Sequence, residues 1–312
     1  MPDKRREWTL HGTRAVLIGA VICCLLWGSA FPCIKIGYRL FAIGGEDAAS
    51  QILFAGCRFA LAGVLVLLAG SLLQRRWLLP RRQALAPIAV LGLTHTTVQY
   101  LLFYIGLAHA SGVSSSIISG ANACVTILIA CLLFRTERFT ARKLVGCLLG
   151  FSGVVLLNLT GGTEWAFALN GEGFVLLSTV ASALASVLLK RYAETENTVL
   201  LSGWQFVFGG SVLAVCGLLF GGRLHPTDLS AVGLLLYLAF LSAAAYTLWG
   251  LLLHHNPVSR VSVYKCLIPV FGVFLSAWWL GEGDAVMRWQ VPVSLALVAL
   301  GVLWVNIREK AT

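Results

Sequence analysis

The sequence predicts an all-α polytopic membrane protein, with ten transmembrane helices arranged as two five-helix inverted repeats. Three observations predict it: the composition, the spacing of the apolar runs, and a match between the two halves of the chain. The 312 residues are 58% hydrophobic and only 12% charged, with a mean hydropathy of +0.86, whereas soluble domains carry about 25% charged residues. Apolar runs long enough to cross a bilayer, about 17 to 25 residues each, fall at 15–38, 50–73, 85–108, 112–134, 143–159, 171–192, 199–220, 231–253, 258–280 and 287–307.

A basic tail, residues 1–14, leads straight into the first span with no small-residue cleavage site after a short apolar region, so the first helix is expected to be retained. That span holds Trp27, then Pro32, which is expected to interrupt it, and Lys35 near its outer end, whose ammonium reads as snorkelling to the interface. The second span carries Arg58 about eight residues in. A guanidinium cannot be neutralised and needs a fixed acceptor, either backbone carbonyls or a ligand. The third contains His95, Gln99, Tyr100 and Tyr104; an imidazole there is either a proton-exchanging group or a hydrogen-bonded core residue. The fourth has a polar stripe of Ser115, Ser119, Asn122 and Thr126 at helical spacing, and ends near Glu137. The fifth is almost wholly apolar, and its GCLLG (146–150) suits close helix packing or a dimer seam.

In the second half, the sixth span aligns Ser178, Ser182 and Ser186 on one face, the seventh contains Trp204, and the eighth aligns Ser242, Tyr246 and Trp249. The ninth places Ser262, Lys265, Pro269, Gly272 and Ser276 on one side, beside Tyr264, and is followed by Glu282. An ammonium at membrane depth costs roughly 2.5 to 3.5 kcal/mol, so Lys265 needs a partner, water or a ligand. Pro269 is expected to free a carbonyl and loosen the helix nearby. Glu137 and Glu282 read as loop caps or as members of a gate. The tenth span is again nearly apolar, and Trp278, Trp279, Trp289 and Trp304 near span ends fit an interfacial belt.

With the N-terminus inside, 17 of the 23 lysines and arginines fall in inner loops and tails. This bias predicts two cytoplasmic termini in a bacterial cytoplasmic (inner) membrane. Basic residues confined to short loops argue against nucleic-acid binding. The nine cysteines all lie in apolar stretches without a CxxC pair, as small buried hydrophobes do.

Shifting the second half by 145 residues lays YIGLAHASGV (104–113) on WGLLLHHNPV (249–258), His109 on His254 and Glu137 on Glu282. Short slips of register lay RFALAG (58–63) on QFVFGG (205–210) and GVVLLN (153–158) on GVLWVN (301–306). The repeats are therefore 15–160 and 161–307, with a short tail at 308–312. Because five spans is an odd number, the second copy is inverted, an architecture of secondary transporters.

WGSAFPCIKIGY (27–38), FAGCRFALAG (54–63), GLAHASGVSSSII (106–118), LLFRTERFTARKLVGCLLGFSGVVLLN (132–158) and LIPVFGVFLSAWWLGE (267–282) together resemble the drug/metabolite transporter superfamily, in particular its ten-helix EamA-type exporters. The resemblance implies export of amino acids or related small metabolites by alternating access, with Lys265 or Arg58 holding a carboxylate and the aromatic set holding the side chain. Lys265 and Tyr264 depart from the small or apolar residues of many members. Drug, lipid, nucleotide-sugar and organophosphate carriers of the same superfamily are the other branches.

The expected cavity lies between helices one to four and six to nine, with Lys265 as the principal ligand contact. The expected partners are a small-molecule substrate and membrane lipid, and the chain is a monomer or homodimer. Neither paired aspartates at depth nor a converging His, Cys or carboxylate set is evident, so no enzyme, metal or cofactor is expected.

Overall fold

The computed structural model describes residues 12–107, 109, 110, 115, 118–158, 168–280 and 289–306. Among these residues the regular structure is entirely helical. Helix α1 is Thr13–Leu40, α2 Ala48–Gln74 and α3 Arg82–Leu107; α4 is Ile118–Leu133, α5 Ala141–Asn158 and α6 Leu169–Ala193. Helix α7 is Thr198–Leu219, α8 Leu229–His255 and α10 Gln290–Asn306. Between the last two, α9 consists of Val258–Ser262, a 3-10 turn at Val263–Cys266, and Leu267–Leu280. Among the described residues six helices, α1, α2, α3, α6, α7 and α8, are long and apolar enough to cross a membrane.

The helix starts follow from short polar side chains. Asp47 accepts from the Ser50 amide at 3.0 Å, Asn197 from the Val199 and Leu200 amides, and Asp228 from the Ser230 and Ala231 amides. Each satisfies donors that the first helical turn leaves without a carbonyl. Pro32 does not end α1 as the sequence suggested, for the helix runs on to Leu40; the ring removes one hydrogen bond without breaking the winding. Pro269 likewise does not mark the irregular point of α9. It lies in the first turn after the 3-10 segment, where a missing N–H is tolerated.

Packing follows the small residues. Helix α2 lies along α7, and α5 along α10. A Cβ on Gly56 would come within 2.3 Å of the Ala214 nitrogen, and one on Gly210 within 2.4 Å of the Ala60 nitrogen, so only glycine allows the α2–α7 approach. In the same way Gly146 faces Val305 and Gly301 faces the Gly146 carbonyl. The glycine pair of GCLLG is thus packed within the chain, Gly146 against α10 and Gly150 against α10 and Cys266 of α9. Helix α1 sits against α8 and α9, and α6 against α3 and α4.

All nine cysteines are free thiols, six of them buried. Leu17, Ile18, Ile22, Leu68, Leu72 and Leu148 are among the exposed apolar side chains on outer faces, a surface suited to lipid. Trp278 and Trp289, at helix ends, are 78% and 65% exposed, as interfacial indoles are.

Candidate functional site

Two cationic side chains lie inside the bundle, joined by a wall of aromatic rings. Lys265 is presented by the 3-10 turn of α9. Its Nζ donates to Asn122 Oδ1 on α4 at 2.7 Å and to Ser186 Oγ on α6 at 3.2 Å, and lies 5.4 Å from the centre of the Trp249 ring. Both acceptors are themselves oriented. Asn122 donates its Nδ2 to the Thr179 carbonyl at 3.1 Å, which turns its oxygen to the lysine. Ser186 donates its own proton to the Ser182 carbonyl at 3.0 Å, leaving lone pairs for Nζ. Among the described residues no carboxylate pairs with Lys265.

From Trp249 the rings continue. Trp27 on α1 meets Trp249 at 5.1 Å and Tyr246 at 5.0 Å between centroids. Tyr246 meets His95 at 5.2 Å and Phe206 at 5.0 Å, and its hydroxyl lies 2.9 Å from that of Tyr100. Phe59 meets Tyr100 at 4.5 Å, and Tyr104 is 6.4 Å from Tyr100. These mostly edge-on contacts are the favoured geometry for rings with opposed quadrupoles.

Beyond them lies Arg58 on α2, only 4% exposed. Its Nε donates to Ser242 Oγ at 2.9 Å, and its guanidinium carbon is 4.8 Å from the Phe59 ring centre. Tyr38, Tyr100, Tyr104 and Tyr246 all lie within reach of its charge.

Several polar atoms around this wall are buried without a hydrogen-bond partner: Trp27 Nε1, Trp249 Nε1, His95 Nδ1, Gln99 Oε1 and Ser262 Oγ. A buried donor or acceptor left unpaired costs about 1 to 3 kcal/mol, so such a concentration in one place suits a site that a polar solute or water completes.

The local backbone explains why these groups converge. His95 lies in a π-helical stretch of α3, Gly92–Val98, whose wider winding re-aims side chains and leaves carbonyls spare. Thr97 Oγ donates into that region, to the Gly92 carbonyl at 3.3 Å and to the Gly209 carbonyl of α7 at 3.0 Å. At Gly28 a Cβ would come within 2.6 Å of the Phe271 Cβ, so α1 can bring Trp27 against the neighbouring elements only because that position is glycine.

The structure brings Lys265, Trp27, His95, Gln99, Tyr100, Tyr104, Asn122, Tyr246, Trp249 and Arg58 to one region. Trp204 lies elsewhere: its indole donates to the Leu78 carbonyl at 2.8 Å, tying α7 to the α2–α3 connection. Tyr264 is buried beside α1, where its carbonyl accepts from Cys24 Sγ at 3.2 Å. Lys35 is exposed on α1, as a snorkelling residue is. Glu282 and the 111–114 segment lie outside the described residues, as does the side chain of Ser276. Phe59, Phe206 and Thr179 were not singled out in the sequence, although the RF (58–59) and QF (205–206) correspondence pointed at the first two. Their rings stack at 5.4 Å and 21°. Among the described residues no three His, Cys, Asp or Glu side chains converge as a metal site requires.

A second cluster lies at the ends of α4, α5, α6 and α8 and the start of α9. Glu137 accepts from the Ser259 amide at 3.2 Å, from Ser259 Oγ, and from Lys143 Nζ at 2.9 Å. Lys190 donates to the Asn256 carbonyl. Burial pushes the Glu137 carboxyl up, but the bonds from Ser259 and Lys143 outweigh it and hold it below the ordinary value of 4.5.

The sequence profile of the EamA-like transporter family matches residues 14–159 and 169–307. The chain belongs to that family. This EamA-like chain is also similar to an uncharacterised transporter of Archaeoglobus fulgidus, at 29% identity over 91% of this chain and 95% of that one. It is 27% identical to a probable terminal-alkyne amino-acid exporter of Streptantibioticus cattleyicolor, over 94% and 92%. It is 24% identical to a probable amino-acid metabolite efflux pump of Salmonella typhimurium, over 92% and 93%. A protein crystal structure superposes with a TM-score of 0.75 at 18% identity, covering 94% of this chain and 96% of the other, which shows a shared fold. The EamA-like chain is an integral membrane transporter of the drug/metabolite transporter type, not an enzyme.

Proposed function

We propose that the chain exports amino acids or related small metabolites across a bacterial cytoplasmic membrane by alternating access, with Lys265 as the anchor for the substrate carboxylate. The observation that carries this reading is the Lys265 ammonium held by two neutral oxygens over an indole, with no carboxylate partner among the described residues. A carboxylate displacing one of those oxygens would form a charge-assisted bond, roughly twice as strong as a neutral one. The ring wall of Trp27, Trp249, Tyr246 and Tyr100 would receive an apolar or aromatic side chain. The names of the Streptantibioticus and Salmonella relatives support the amino-acid class.

In this reading ten helices cross the membrane as two inverted repeats with both termini inside. The packing supports the repeat. Exchanging each helix for the one five places on maps the α1–α8 contact onto α6–α3, and the α1–α9 contact onto α6–α4, while α2–α7 and α5–α10 map onto themselves.

The test is counterflow uptake into proteoliposomes of labelled leucine, phenylalanine, a phosphorylated sugar and a cationic dye. Uptake of the amino acids is expected, falling at least tenfold in Lys265→Met. Uptake of only the dye or the sugar, or an unaltered Lys265→Met, overturns the reading.

A further inference from the structure

We propose that Arg58 is a second anion-binding station, separate from Lys265, at which a carboxylate docks on the opposite half of the membrane path. This rests on the reading of the chain as an exporter of carboxylate-bearing solutes and adds a site to it.

Among the described residues no carboxylate pairs with Arg58. Its side chain is 4% exposed, and among the described residues its one hydrogen bond uses Nε, to the neutral Ser242 hydroxyl. The face of Phe59 is its other close partner. Ser242 passes its own proton to the Leu238 carbonyl at 2.9 Å, so its oxygen is turned to the arginine and the Nε contact is built in. The outer fork of the guanidinium, which supplies the paired donors that match a carboxylate, carries no hydrogen bond to any described residue. Buried charges are otherwise paired, as Lys143 is with Glu137 at the helix ends.

Depth separates the two cations. Arg58 follows ten residues after the start of α2 at Ala48, about 15 Å along the helix, and Lys265 seven residues after the start of α9 at Val258, about 11 Å. In the proposed topology these helices start on opposite faces. A 27-residue helix is about 40 Å long, which leaves roughly 10 to 15 Å between the two charges along the membrane normal. One amino-acid carboxylate cannot touch both. The rings of Trp249, Trp27, Tyr246 and Phe59 link the stations without a break, so a solute with an apolar body can pass from one cation to the other along a continuous aromatic face. The ligand class is an organic carboxylate with an apolar or aromatic body.

The full chain in detergent is tested with benzoate, the minimal aromatic carboxylate, and with benzamide, its neutral isostere, reading the shift in thermal midpoint over a concentration series. Benzoate, not benzamide, is expected to stabilise Lys265→Met, because Arg58 remains. The shift is expected to vanish when Arg58→Gln is added. Because Arg58→Gln could impair folding, Arg58→Lys is measured in the same background, where the half-saturating benzoate concentration is expected to rise at least threefold. No benzoate-specific shift in Lys265→Met overturns the second station, as do an undiminished shift in the double variant and an unchanged half-saturation in the Arg58→Lys variant. A Lys265→Met protein that binds benzoate as tightly as the parent, and loses it only with Arg58→Gln, would instead remove Lys265 as an anchor and leave Arg58 standing.

Discussion

An ammonium held by two neutral oxygens is poised differently from one held by a carboxylate. Asn122 and Ser186 orient Lys265 without neutralising it, so the charge stays available to an incoming anion. Asn122→Asp tests this with almost no change of shape. A carboxylate 2.7 Å from the lysine would close an internal ion pair, strong at the low dielectric of a membrane interior. The variant is expected to keep or raise its thermal midpoint while amino-acid counterflow falls at least tenfold. Undiminished transport in Asn122→Asp would show that the charge of Lys265 is not what the substrate meets. The unpaired indoles of Trp27 and Trp249 complete the arrangement, since an indole N–H can donate to a carboxylate or to a water that accompanies it.

At the scale of elements, Glu137 fastens the start of α9 to the α4–α5 connection, and α9 carries Lys265. A carboxylate at the first turn of a helix accepts from its open amides and meets the positive end of its dipole. Glu137→Gln is expected to lower stability by about 1.5 to 3 kcal/mol, as loss of hydrogen bonds to a charged group does. The pH dependence has a definite sign. The folded value lies below the ordinary 4.5, so the bond's contribution is complete above that value and is lost as pH falls through the folded value. The gap in thermal midpoint between parent and Glu137→Gln should therefore stay constant from pH 8 to about 5 and close below about 4.5; a gap that persists in acid would refute the assignment. The positions of most helices were legible in the sequence because the apolar runs are long, whereas the caps at Asp47, Asn197 and Asp228 emerged only in the structure. The stripes on α4 and α6 foretold Asn122 and Ser186. The partnership of Glu137 with Ser259 was not legible, because 122 residues separate them. Nor was the winding of α3, whose π-helical stretch contains a Thr97 bond to a carbonyl of α7 that lies 112 residues away. Trp204 misled for a related reason: its place in an apolar helix said nothing of the Leu78 carbonyl that claims its indole.

For the molecule as a whole, the distribution of charge makes a prediction about sidedness. Basic residues concentrated in alternate connections should hold both termini in the cytoplasm. Fluorescent-protein fusions at each end should glow in a bacterial host, and alkaline phosphatase fused at the same ends should be inactive; phosphatase activity at either end would overturn the topology. In the proposed inverted repeat Phe59 and Phe206 would occupy corresponding places, and they stack on each other. Two corresponding points can touch only beside the axis that relates the halves. When the two copies exchange conformations, atoms far from that axis sweep the largest arcs and atoms on it hardly move. On the proposed repeat this stacked pair would be the still point of the transport cycle, a fulcrum against which the displacement of every other helix can be measured.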